Sequence, residues 1–254
     1  IQEVCIVVHR GDREVYASTL PETGLKILYK EQPEPRGYGH ALFCARDFVG
    51  AAPFLHLVSD HLYISYGAQT CAQELVEIAT REEAAVSAVQ PTRESMLPYY
   101  GVVSGVREGR NKSLYSVREV IEKPTPTRAE QSLVVPGLRA GHYLCFHGMH
   151  VLTPTVMEIL AEDVAASDSS TSPSTSPSNG RVQLSTALNR LATKQRYLAF
   201  ETLGHRYNIG VKYGLLNAQL ALALSGDDSE FVLSQMLELL ATRERQMISQ
   251  RTAD

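Results

Sequence analysis

Gln32, Asp60, Glu122, Lys123 and Asn208 have the types and neighbours to act on a polar ligand, and Gly37 and Gly101 stand in the stretches around them. The run from Glu31 to Asp60 is the densest of these. It opens polar and Pro-rich and turns through Gly37 and Gly39. It then enters an apolar, helix-like segment, Ala41 to Val49. A second turn at Gly50 leads into Phe54-Leu55-His56-Leu57-Val58, which reads as a buried strand ending at Ser59-Asp60. A loop, a helix and a strand with a carboxylate at the strand's C-terminal end is the layout of a ligand crevice in a parallel α/β sheet.

Other chemistries are excluded by spacing. Ser59-Asp60-His61 is not a hydrolytic triad, because adjacent strand residues point to opposite faces. His142, His147, His150 and His205 share no metal-ligand spacing with a cysteine or carboxylate, and His40 reads as a helix-start or core residue without chemistry. Cys5, Cys44, Cys71 and Cys145 lack CxxC spacing and sit in apolar runs, so they read as reduced core thiols of a cytoplasmic protein with no zinc site. No GxGxxG follows a strand, which argues against a dinucleotide oxidoreductase.

Composition narrows the class further. With 254 residues, 44% of them hydrophobic, the chain can bury a sizeable core. Its net charge of −4 lacks the basic excess expected of a nucleic-acid or anionic-membrane binder, while leaving room for the few local cations a small phosphate ester needs. No apolar run approaches the roughly 20 residues of a membrane helix. The N-terminus, with neither a cationic stretch nor a cleavage-type site, does not read as a signal peptide.

The elements that must position these residues follow from periodicity. Strands are expected at Val4–Val8, Leu25–Tyr29, Ala84–Val89 (closed by Gln90-Pro91), His142–Leu152 and Tyr197–Glu201. Tyr100–Val106 and Leu114–Ile121 read as antiparallel strands joined by a charged turn over 107–112. Helical spacing covers 68–81, about 155–162, 183–191, 211–224 and 227–251. Residues 13–24 and 204–210 read as turn-rich. The last helix carries an apolar stripe, Phe231, Leu233, Met236, Leu237 and Leu240, which must pack on the domain or on another subunit. SDSSTSPSTSPSNG, residues 167–180, is too polar to pack and reads as a mobile loop.

In order and spacing, Gln32 with Gly37-Tyr38-Gly39-His40-Ala41, Asp60, Tyr100-Gly101-Val102-Val103, Glu122-Lys123-Pro124, Arg181-Val182-Gln183-Leu184-Ser185-Thr186 and Gly204 to Gly214 resemble the bacterial-type UTP–glucose-1-phosphate uridylyltransferases of the nucleotide-sugar pyrophosphorylase family. The resemblance covers residue 1 to about 225. It implies an α/β, Rossmann-like, mostly parallel mixed sheet of the nucleotide-diphospho-sugar transferase type, with an antiparallel insertion and C-terminal helices. It implies transfer of UMP from UTP to glucose 1-phosphate, giving UDP-glucose and pyrophosphate, with Mg²⁺ as cofactor. Gln32 and Gly37 then match the nucleotide-binding positions, Gly101, Glu122 and Lys123 the sugar and sugar-phosphate positions, and Asp60 and Lys123 the catalytic pair. Asp60 matches the metal-holding aspartate, with Asn208 at the second metal position. The resemblance allows a homo-oligomer.

The sequence departs from the family in three places. The Gly-rich triphosphate loop is not seen, and the first strand corresponds to the family's second. Asn208 stands where the family has a carboxylate, and Thr186 where an Asp is usual. These departures motivate an alternative, a catalytically weak or inactive homologue that binds sugar phosphate or nucleotide as a regulatory or scaffolding subunit. The expected organisation is a nucleotidyltransferase-like domain over 1–226, with a flexible loop at 165–180, and a C-terminal helix over 227–254.

Overall fold

A computed structural model of the chain describes residues 1–109, 112–169 and 181–251. It divides into two compact units, Ile1–Leu57 with Glu74–Thr202 and Val58–Gln73 with Leu203–Asp254. The expected organisation, a domain over 1–226 and a C-terminal helix over 227–254, groups the same residues differently. Residues 170–180 of the expected flexible loop lie outside the described residues, and the part before them continues a helix to Ser169.

In the first unit, the β-branched start of the chain forms β1 (Glu3–His9), parallel to β2 (Lys26–Gln32) in a two-stranded sheet. The crossover between them is the short helix α1 (Arg13–Thr19), in a stretch expected to be only turns. Gln32 is thus the last residue of β2. The helix-like run splits at Cys44-Ala45 into α2 (Tyr38–Phe43) and α3 (Arg46–Val49).

The central sheet has six strands in the order β3 (Phe54–Leu57), β8 (His142–Leu152), β5 (Ala85–Arg93), β9 (Tyr197–Glu201), β7 (Leu114–Glu122) and β6 (Gly101–Arg107). A further element, β4 (His61–Ile64), belongs to the second unit. The sheet is mixed, with the expected antiparallel insertion at β6 and β7. It is not mostly parallel in its pairing. Within it only β5 and β9 are parallel neighbours. The reason is β8, which runs antiparallel between β3 and β5, so strands of one direction are kept apart.

Two further expectations need correction here. Phe54–Leu57 is not a buried strand: it is the sheet edge, paired only with β8, and Leu57 is exposed. Pro91 does not end β5 but pairs with Leu144 inside it. Pairing with β9 stops at Val89, so beyond that point β5 has one open edge, where a missing N–H is tolerated.

The period-2 alternation of β8 sorts two cores. Leu144 and Phe146 join Leu160, Leu184, Leu188 and Leu191 on the face covered by α6 (Thr155–Ser169) and α7 (Leu184–Lys194). Tyr143 and Cys145 join Leu97, Val102 and Leu133 on the other, beside α5 (Pro126–Ser132), a helix not anticipated from the sequence. Thr125 caps α5, its hydroxyl accepting from the Arg128 N–H. Between Glu74 and Ala85 the chain forms most of α4 (Cys71–Glu82).

In the second unit, β4 and β10 (His205–Asn208) form an antiparallel pair on which α8 (Gly214–Ser225) packs, followed by α9 (Ser229–Arg251). Neither strand was anticipated, since four residues are too few to show a period. On α9, Val232 and Met236 are half-buried, while Phe231, Leu233, Leu237 and Leu240 of the expected stripe are exposed.

One polar row crosses the first unit's sheet. His56, His150 and Ser87 are register partners on β3, β8 and β5. Ser87 Oγ lies 2.6 Å from His150 Nδ1 and 2.5 Å from the Tyr197 hydroxyl. Burial pushes His56 down to about 4, and burial with the neighbouring His56 pushes His150 well below the usual range. Both are therefore neutral at pH 7, and acid favours the unfolded chain, whose histidines take up the proton first. Stability should fall as pH drops from 6.5 towards about 4, with a shallower fall in His56→Gln. Thermal melts at fixed ionic strength would check both.

Candidate functional site

Gln32, at the end of β2, reaches back over the loop that follows. Its Nε2 donates to the Gly37 carbonyl at 3.1 Å and lies 3.0 Å from Nδ1 of the buried His40. The loop is held from the other side by Val182. The Gly39 N–H donates to the Val182 carbonyl, and the Val182 N–H to the Arg36 carbonyl, both at 2.9 Å. This pairing is why position 37 is glycine. Its φ is +107°, and a Cβ there would sit 2.5 Å from the Val182 carbonyl oxygen. Tyr38, next in the chain, opens α2, and its hydroxyl lies 2.9 Å from His56 Nε2. Arg36 pairs with Asp168 at 2.6 Å near the end of α6.

The second group of predicted residues lies where β6 and β7 begin and end. Gly101 is the register partner of Glu122. A Cβ on Gly101 would come 2.7 Å from the Phe146 ring and 3.0 Å from Glu122 Oε2, so the carboxyl lies over the bare glycine backbone. Glu122 is exposed as a residue, yet desolvation around its carboxyl raises its pKa, opposed by Lys123 and by a hydrogen bond with Ser185. Lys123 leaves the ladder at φ +44°, a strained conformation for a residue with a side chain, and its N–H donates to the Tyr100 carbonyl at 3.1 Å. Its side chain is thereby turned out of the strand's alternation.

These two groups share one anchor. Val182 holds the glycine loop, and Ser185, three residues on, lies beside the Glu122 carboxyl and favours its charged form. Three residues span at most about 10 Å. The segment is fixed in turn by α7, whose Asn189 Oδ1 accepts the Val120 N–H of β7 at 2.8 Å. Gln32, Gly37, Gly101, Glu122 and Lys123 are therefore linked through one short stretch of chain. Val182 and Ser185 carried no individual role in the sequence reading. The Arg181–Thr186 run was visible there, but the contribution of Val182 is made by its backbone, which side-chain type does not report. His40 was given no chemistry, and its contact with Gln32 is the feature that reading missed.

Asp60 and Asn208 lie together in the second unit. Asp60 does not end a buried strand. It occupies the turn entering β4, and its carbonyl accepts the Ile209 N–H at 2.8 Å. Asn208 pairs with His61 across β4 and β10. Asp60 Oδ2 and Asn208 Oδ1 each come within 3.2 Å of the point where a Cβ on Gly210 would lie, so they flank one gap. Asn208 Oδ1 also accepts the Gly210 N–H at 2.9 Å, which holds it in place and leaves its second lone pair. Two hard oxygen donors facing one gap fit a divalent cation such as Mg²⁺, which takes one or two protein oxygens and completes its shell with water and phosphate. Among the described residues, no three histidine, cysteine or acidic side chains cluster to hold a metal on their own.

A family profile described as nucleotidyl transferase matches residues 1–182. The chain is 30% identical over 228 residues to the UTP–glucose-1-phosphate uridylyltransferase of Streptococcus pneumoniae, covering 87% of this chain and 69% of that protein. Against the Bacillus subtilis uridylyltransferase it is 28% identical, covering 86% and 66%. Among solved structures, a UDP-glucose pyrophosphorylase complexed with UDP-glucose superposes with a TM-score of 0.69 at 22% identity, over 89% of this chain and 82% of that one. The UTP-bound enzyme of Acinetobacter baumannii gives 0.64 at 21%, over 89% and 70%. These structures share the fold.

Gly37→Ala should be costly twice, through the positive φ and through the clash with Val182. A loss of about 2 kcal/mol in unfolding free energy is expected. Urea denaturation would measure it, and a variant as stable as the parent would show that the loop does not need Val182.

Proposed function

Because the chain belongs to the nucleotidyl transferase family, we propose that it transfers UMP from UTP to glucose 1-phosphate, giving UDP-glucose and pyrophosphate. An oxygen of the sugar phosphate attacks the α-phosphorus of the triphosphate. The bond from that phosphorus to the bridging oxygen breaks, and pyrophosphate leaves with the electron pair. No protein nucleophile is consumed. The protein's task is to hold two anions in line and to offset their charge.

In this reading Gln32 meets the uracil edge, and Gly37 lets the base approach the backbone. Gly101 and Glu122 hold sugar hydroxyls, the carboxylate of Glu122 accepting from them. Lys123 faces the sugar phosphate as a compact positive charge, where Arg would be bulkier and planar. Asp60 and Asn208 would hold Mg²⁺. When bound, the ion neutralises phosphate charge. With one carboxylate and one neutral carboxamide, the pair binds the ion more weakly than two carboxylates would. The reaction belongs in the cytoplasm, where nucleoside triphosphates are at hand and where the free state of Cys5, Cys44, Cys71 and Cys145 is maintained. Among the described residues, no helix is long and apolar enough to cross a membrane.

The observation that carries this proposal is the shared anchor of the 182–189 segment: the Val182 backbone ties the glycine loop, and Asn189 ties β7 just ahead of the Glu122-Lys123 corner. The alternative of a silent binding subunit is not favoured, because the curated relatives are named for the transferase activity.

A coupled pyrophosphate-release assay with UTP, glucose 1-phosphate and Mg²⁺ tests the proposal. Release that needs both substrates is expected, and its absence together with no UDP-glucose binding would sink the reading. Lys123→Ala should lower kcat/KM about 100-fold, the scale of losing one charge-stabilising donor. Asn208→Asp should lower the Mg²⁺ concentration for half-maximal rate. An unchanged metal titration would remove Asn208 from the site.

A further inference from the structure

Gln32 is held by two partners, and together they fix which end of its carboxamide faces out. The Gly37 carbonyl can only accept, so the atom 3.1 Å from it must be the amide nitrogen. The same nitrogen lies 3.0 Å from His40 Nδ1. An NH₂ group has two protons and no lone pair to offer, so Nδ1 must be unprotonated and accepting. The neutral ring then carries its proton on Nε2. Among the described residues the amide oxygen, Oε1, makes no hydrogen bond and is left for a ligand.

We propose that His40 is a positioning residue for base selection: by accepting from Gln32 Nε2, it turns Gln32 Oε1 towards the nucleotide, so that the site takes a pyrimidine with an N3–H and rejects one without. The inference rests on the preceding reading that Gln32 meets the base. Uracil has a proton on N3, which an outward Oε1 accepts. Cytosine has a lone pair there, which would face the lone pairs of Oε1. Were the carboxamide free to flip, its nitrogen could donate to cytosine N3, and the distinction would be lost. The Gly37 carbonyl alone opposes that flip with one bond, and His40 adds the second.

The surroundings keep His40 in the accepting state. Burial is the largest influence lowering its pKa and Arg36 adds to it, while Asp168 and the backbone and carboxylate of Glu34 act in the opposite direction without reversing it. His40 is only 7% exposed, on a helix packed against α6 and α7, which limits the access of solvent to it.

The test compares binding of UDP-glucose and CDP-glucose by calorimetry, using the wild-type chain, His40→Phe and His40→Asn. Phe fills the volume without an acceptor. Asn can place its Oδ1 near the position of Nδ1. Wild type should favour UDP-glucose. His40→Phe should reduce that preference about tenfold, the scale of one net hydrogen bond, and His40→Asn should retain most of it. Equal weakening of both ligands in His40→Phe, or an unchanged ratio, would make His40 merely structural and overturn the proposal. Wild-type binding of neither ligand would remove the base-site reading and this inference with it. If His40→Phe does not fold, ¹H–¹⁵N correlation of the ring nitrogens in the wild-type chain decides: a proton on Nε2 alone is expected, and a proton on Nδ1 overturns the proposal.

Discussion

The backbone of Val182 is the constraint from which the first unit's candidate site follows. Its carbonyl and N–H bond the loop residues Gly39 and Arg36, joining segments that are remote in sequence. The carbonyl fills the space a side chain at position 37 would need. Once the loop is pinned this way, Gln32 has a fixed surface to fold back on, and His40 is brought under its amide. The segment continues into α7, whose Asn189 meets the backbone of β7 and whose Ser185 meets Glu122. One turn of chain therefore sets the positions of residues drawn from three separate stretches. Each neutral bond among them is worth only about 1 kcal/mol net, but they act on the same few residues, and so they specify geometry more than they add stability.

The electrostatics of the two units differ in kind. In the first, the polar groups around the candidate site are neutral or locally balanced. Arg36 has Asp168, Glu122 has Lys123 beside it, and the histidines of the β3–β8–β5 row are kept uncharged by burial. Tyr38 connects that row to the glycine loop through His56. In the second, Asp60 is exposed, and among the described residues its carboxylate has only His61, at 3.8 Å, as an ion-pair partner. A carboxylate left open to solvent beside a carboxamide oxygen is an arrangement that stabilises the fold little and remains available to a cation.

Periodicity reported the long elements well. The strands β6, β7, β8 and β9 and the helices α4, α7 and α9 lie close to where apolar spacing placed them, because each repeats its pattern for several residues against a single core. The short elements were not legible. α1, α5, β4 and β10 have four to seven residues, and their formation depends on a partner strand or a cap rather than on a repeat. The pairing of strands was not legible for a related reason: nothing local to His142–Leu152 says that it will insert antiparallel between β3 and β5.

What the sequence determined by itself was the inventory: the residue types at 32, 37, 60, 101, 122, 123 and 208, their order, and the elements that carry most of them. Those properties are local, and side-chain chemistry writes them directly. Only the tertiary structure decided that Val182 lies against Gly37, that Glu122 shares Ser185 with the same segment, that Asp60 and Asn208 face one gap beside Gly210, and that His40 touches Gln32. These are meetings of segments, made through the backbone at Val182 and through side chains at the others, and the spacing of residue types does not record which segments meet.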